Sequence, residues 1–122
     1  MTDVNKALAF AKECLKWPNP SIHATHKRIV ISETSREENT LDTAHIQPQL
    51  EAFLGNRFFI QINRGTTNLF KWSVIVGPQN LLGAPPNFDN GRGDSDDLFD
   101  AIFDACVQAA RMFPNAAGSG AP

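Results

Sequence analysis

The sequence is short of the features that announce a chemistry. It has two cysteines in 122 residues, Cys14 and Cys106, too few for a disulfide framework. Each falls among helix-periodic apolar residues and reads as a reduced, buried thiol in a cytoplasmic protein. No apolar run approaches the ~20 residues that cross a bilayer, and the first residues lack the basic start and apolar block of a signal peptide, so no membrane partner is expected. Basic residues are not in excess. Eleven Lys and Arg against thirteen Asp and Glu leave a formal charge of −2, which argues against duplex nucleic acid as a partner, because phosphate contacts need clustered cations.

The donor sets of a metal centre are missing as well. His23 and His26 stand close together, yet no Cys, Asp or Glu beside them completes the three or four ligands that zinc needs, and they read as solvated loop histidines. Burial on apolar helix faces disfavours the thiolate that would make Cys14 or Cys106 a nucleophile. No set of acid, base and nucleophile can be assembled from the chain. No catalytic residue, metal or cofactor is therefore assigned, and a small enzyme is the disfavoured reading.

What is there is a hairpin pattern over 57–77. Phe58, Ile60 and Ile62 alternate with Phe59, Gln61 and Asn63, and the even-numbered row Phe70, Trp72, Val74 and Val76 continues beyond a turn rich in Gly, Thr and Asn. This register buries Trp72 on the apolar face and turns Lys71 the other way. A third strand is expected over 27–32, with Ile29 and Ile31 as its apolar row, followed by a polar run over 33–40. A first helix follows a cap at Thr2 or Asp3, with Val4, Ala7, Leu8, Ala11, Cys14 and Leu15 on one stripe, and it ends at Trp17-Pro18-Asn19-Pro20. The spacing of 41–54 is helical, but Pro48 forces a kink or a late start near Gln47. A loop over 78–93 leads to the strongest helix, capped by Asp94 or Ser95 and carrying Leu98, Ala101, Ile102, Ala105, Cys106, Ala109 and Met112 on one stripe.

The expectation is one α+β domain over 1–113, a layered α/β sandwich in the order α-β-α-β-β-α with a small three-stranded sheet, and a disordered tail over 114–122. Three strands are roughly 14 Å across and take about two helices on one face, so the third helix covers the mixed face or a second subunit. Open strand edges and three apolar helix stripes point to a homo-oligomer.

The opening ALAFAKECLKW, the strands RFFIQINRG and FKWSVIVG, and the closing DSDDLFDAIFDACVQAARMF resemble the phage "ABA sandwich" domain of small phage and prophage proteins. The similarity covers most of 1–113 and departs from the pattern in the loop 78–93. It implies a layered fold and a mobile-element origin, and no activity or catalytic residue.

Two motifs and one surface remain. Asn90-Gly91-Arg92-Gly93-Asp94 resembles a phosphate-cradling loop before a helix. However, Asp94, Asp96 and Asp97 put negative charge where an anion would sit, and they read instead as balancing the helix dipole. Glu33, Glu37 and Glu38 with Arg36 read as a solvated charge run. If the three strands register, the mixed face of the sheet carries Arg28, Ser32, Phe59, Gln61, Asn63, Lys71 and Ser73. Within it Arg28, Phe59, Gln61, Asn63, Lys71 and Ser73 form a candidate ligand site of cations, amides and one exposed ring, suited to a nucleotide-like small molecule. The plainer reading is an ordinary solvated or helix-covered face. The function expected is a non-catalytic binding protein that sequesters a small anionic ligand of a host defence pathway. The alternative is a module that blocks a host protein through the loop 78–93 or a strand edge.

Overall fold

In the computed structural model, which describes residues 3–33, 38–43, 45–64, 71–79 and 90–114, the chain is an α+β fold. Among those residues it runs α1 (Val4–Glu13), β1 (Ser21–Ile22), β2 (Ile29–Glu33), β3 (Glu38–Asp42), α2 (Gln47–Leu54), β4 (Phe58–Arg64), β5 (Trp72–Pro78), β6 (Gly91–Ser95) and α3 (Leu98–Met112). The strands form two antiparallel sheets, β1-β2-β3 and β4-β5-β6. The pattern predicts a single sheet, and the order is longer than expected by β1, β3 and β6. Residues 65–70, which hold most of the expected turn and the expected start of the second hairpin strand, the middle of the expected loop at 80–89 and the expected tail from 115 to 122 lie outside the described residues.

The hairpin has the register that its alternation predicts. Ile60 lies opposite Val76, Ile62 opposite Val74 and Arg64 opposite Trp72, and Val74 and Val76 are fully buried. Trp72 faces the same way but is half-buried, with the Arg64 guanidinium 4.8 Å from its ring centroid. Lys71 is exposed.

β6 replaces the end of the expected loop. Its sequence alternates small and polar residues, and cross-strand pairing sets Gly91 opposite Val76 and Gly93 opposite Val74 on the buried face. There the backbone of α3 comes so close that a Cβ on Gly93 would overlap the Ala101 carbonyl, and one on Gly91 the Ala105 carbonyl. Ala101, Ala105 and Ala109 recur every fourth residue, which places one small ridge of the helix along the glycine row. The Gly-Arg-Gly segment is thus a packing device rather than a phosphate cradle. Because the strand runs through Ser95, the helix starts later than expected. Asp97 is its cap, accepting from the N–H groups of Phe99 (2.9 Å) and Asp100 (3.1 Å).

α1 is capped by Asp3, which accepts from the N–H of Asn5, and it runs parallel to α3. Three ties at nearly constant offset show the direction: Asp3 N–H to Asp100 Oδ1 (2.7 Å), Lys6 Nζ to Asp104 Oδ2 (2.8 Å), and Arg111 to both carboxylate oxygens of Glu13 (2.6 and 2.7 Å). Phe10, outside the predicted stripe, is fully buried between the elements. Its ring lies 5.0 Å from Phe103 of α3 and 5.9 Å from Phe53 of α2, and Phe53 stacks at 5.0 Å on Phe58 of β4. The core joins all three helices to the second sheet through these four rings. Cys14 and Cys106 are free and buried in it.

The first sheet corrects two expectations. The polar stretch before Leu41 pairs with β2 as β3, setting Leu41 opposite Val30, both with no exposure; burial of that pair outweighs the low strand propensity of Asn and Asp. The inward row of β2 is then Val30 and Ser32, and Ile29 and Ile31 are only half-buried. A serine is tolerated inside because its hydroxyl donates to the Pro18 carbonyl. α2 starts late, with Pro48 in its first turn, where the missing N–H would have had no partner in the helix. α3 packs on β5 and β6, while α1 lies along α3 and against β1 and β2. The helix pair therefore has sheet contacts on both members, and no described helix covers the mixed face of the hairpin sheet.

Candidate functional site

Pairing gives the composition of that mixed face. Phe59 lies opposite Gly77; Gln61, Ile75 and Arg92 form one cross-strand row, and Asn63, Ser73 and Asp94 the next. Gln61 and Asn63 are exposed and Ser73 is half-buried, so three of the expected residues come together. Lys71 precedes β5, its main-chain N–H bonded to Asp96 Oδ1 at 3.1 Å. Phe59 shares the face but is only 8% exposed. Its ring edge lies over Gly77, where a Cβ would meet it at 3.0 Å, and it offers no open stacking platform. Arg92 and Asp94, missed on this face, form an ion pair at 3.0 Å. The period-two alternation of Gly91, Arg92, Gly93 and Asp94 is the signal that could have found them. The acidic partner diminishes the appeal of the row to an anion.

Arg28 is on the other sheet. It is exposed in the turn before β2, and its carbonyl accepts from Thr43 N–H at 3.2 Å. Around it Thr25, His26, Lys27, Arg28, Ile29 and Asp42 line a cavity of about 260 Å³. The turn is held by His23, whose Nδ1 accepts from the N–H groups of Thr25 (3.1 Å) and His26 (2.9 Å), leaving that ring one nitrogen for anything else. Among the described residues no three His, Cys, Asp or Glu side chains gather to hold a metal ion.

A second cavity, of about 490 Å³, is lined by His45, Ile46, Gln47, Pro48, Leu50 and Phe99. It is mostly apolar and lies where the start of α2 meets the start of α3. One lining residue of each is in contact with one of the other: Asp42 Oδ2 of the first lies 3.2 Å from His45 Nδ1 of the second. One has cationic side chains and the other apolar walls of the size that small ligands occupy.

Both thiols lie in the core, and burial pushes the pKa of Cys14 and of Cys106 well up. Compared with protein-family models, curated proteins and solved structures, the chain matches none.

Proposed function

We propose that the chain is a non-catalytic binding protein of phage or mobile-element type that holds a small anionic, nucleotide-like ligand, in the sharpest version a signalling nucleotide of a host defence pathway. The observation that carries this reading is the contact between Asp42, which lines a cavity rimmed by Lys27, Arg28 and His26, and His45, which lines one walled by Pro48, Leu50 and Phe99. A phosphate belongs with the cations and an aromatic base with the apolar wall. This arrangement uses Arg28 and moves the site away from the hairpin face. The similarity of the sequence to the phage "ABA sandwich" domain supports the proposed origin. The chain acts as a homo-oligomer in the same reading.

Calorimetric titration with cyclic and linear nucleotides tests the proposal. The wild type should give binding heat, and Arg28→Glu or Lys27→Glu should weaken binding by at least about 1.5 to 3 kcal/mol, the usual worth of a hydrogen bond to a charged group. Lys71→Glu should leave affinity unchanged. Absence of heat with every nucleotide would remove the ligand reading, and a loss confined to Lys71→Glu would return the site to the hairpin face.

A further inference from the structure

Two three-stranded sheets have four edges, and among the described residues three are guarded. β1 is two residues long. On β3 the bond from Thr43 N–H to the Arg28 carbonyl turns odd-numbered residues toward β2, so the outward main-chain groups belong to Glu38, Thr40 and Asp42, a row with an acid at each end. On β6 the outward residues are Arg92 and Asp94; the N–H of Arg92 is already bonded to Gln108 Oε1 of α3 at 3.2 Å, and their side chains pair. Short, charged and covered edges are how sheets avoid adding strands.

β4 has none of these guards along its middle. Gln79 N–H donates to the Arg57 carbonyl at 2.9 Å, and the pairing continues through Phe59 with Gly77 and Gln61 with Ile75. Odd-numbered residues therefore bond to β5, and the main-chain groups of Phe58, Ile60, Ile62 and Arg64 point away from it. The Phe58 carbonyl accepts from Gln79 Nε2 at 3.1 Å; among the described residues no strand lies beyond Ile60 and Ile62. Ile62 is also 46% exposed, a rare state for a large aliphatic residue among those described.

We infer that this edge pairs with the same edge of a second copy, antiparallel, about a two-fold axis at Gln61. The strand is self-complementary there. Ile60 meets the partner's Ile62 and Ile62 meets the partner's Ile60, both outward-facing as a hydrogen-bonded pair requires, and the apolar row runs on across the axis. Two sheets of three become one of six. The cations at the ends of the pairing do not oppose it, since Arg64 lies over its own Trp72 and Arg57 Nη2 donates to the Phe53 carbonyl at 2.6 Å. The inference deepens the self-association in the proposed function and is independent of the ligand.

Light scattering at tens of micromolar should give about 27 kDa, twice the 13.4 kDa of the chain. Gln61→Cys should form an intermolecular disulfide on mild oxidation, because facing residues of a non-hydrogen-bonded pair have Cα atoms about 4.5 Å apart, within disulfide reach. Gln108→Cys, beside the β6 edge, should not. Ile62→Pro removes an outward N–H and no bond within the hairpin, so it should give a folded monomer by circular dichroism; if it fails to fold, Ile62→Lys takes its place. A wild-type mass of 13.4 kDa overturns the inference. So does a dimer in which Gln61→Cys does not cross-link, or one that survives Ile62→Lys. Nucleotide heat from a monomeric wild type would remove the dimer and leave the ligand reading standing.

Discussion

The main-chain N–H of Asp3 donates to Oδ1 of Asp100, 97 residues away in the chain, at 2.7 Å, so a carboxylate in the first turn of α3 also serves the start of α1. The position suits an anion, because the N-terminal ends of α1 and α3 both carry partial positive charge there. Yet Asp100 is only 8% exposed. Burial raises its pKa; the Asp3 N–H opposes the rise, the neighbouring charges of Asp97 and Asp3 add to it, and Lys6 subtracts.

A carboxyl whose folded pKa is raised binds more protons folded than unfolded, so its contribution to stability declines as pH rises from its ordinary value through the folded one. Asp100→Asn keeps an acceptor for the Asp3 N–H and removes the titration. Relative to wild type, the variant should gain stability as pH rises from the ordinary carboxylate range through the raised one, read by urea denaturation at a series of pH values. A relative loss over that range would mean that the ionised form is the one the fold prefers.

Gly93→Ala should destabilise by about 3 kcal/mol, the upper part of the usual range for overpacking, because the added methyl meets the Ala101 carbonyl of a helix backbone and not a side chain that can rotate away. Arg92→Ala, one residue earlier on the exposed face, should change stability by less than about 0.5 kcal/mol. Chemical denaturation compares the two, and equal small losses would mean that α3 and β6 separate easily.

Phe10→Ala should cost about 3 to 5 kcal/mol, since the ring is fully buried between Phe53 and Phe103. Trp72→Ala should cost less, because Trp72 is half-buried and part of its contact is with the exposed Arg64. The reverse order in thermal or urea unfolding would relocate the centre of the core to the hairpin.

Cys14 and Cys106 should be unreactive toward an aromatic disulfide reagent in the native protein at neutral pH and should both react once the chain is unfolded. Burial both raises their pKa and shields the sulfurs. Rapid labelling of one thiol without denaturant would show that the α1–α3 interface opens locally.

The hairpin, the three helices and the late start at Pro48 were legible in the sequence because each rests on local rules: period two for Ile60 to Val76, period 3.6 for Ala101 to Ala109, and the missing N–H of proline. Local patterning also identified the buried thiols. It could not show that β2 leaves the hairpin to pair with β3, because that depends on Leu41 meeting Val30, a contact between positions whose flanking residues have weak strand propensity. It could not turn Ser32 inward either, as the hydroxyl is satisfied by a carbonyl fourteen residues away. The same holds for the candidate site. Arg28 stood out as a cation, but the place of Asp42 beside it, and of His45 against Asp42, is set by the pairing of β2 with β3 and by the turn into α2. Gly91 and Gly93 resembled a loop by composition, and only the approach of the α3 backbone gives them a reason to be glycine in a strand. Periodicity along the chain tells which side of an element is apolar; which element meets that side is decided by contacts between distant residues, whose energies do not appear until the chain has closed on itself.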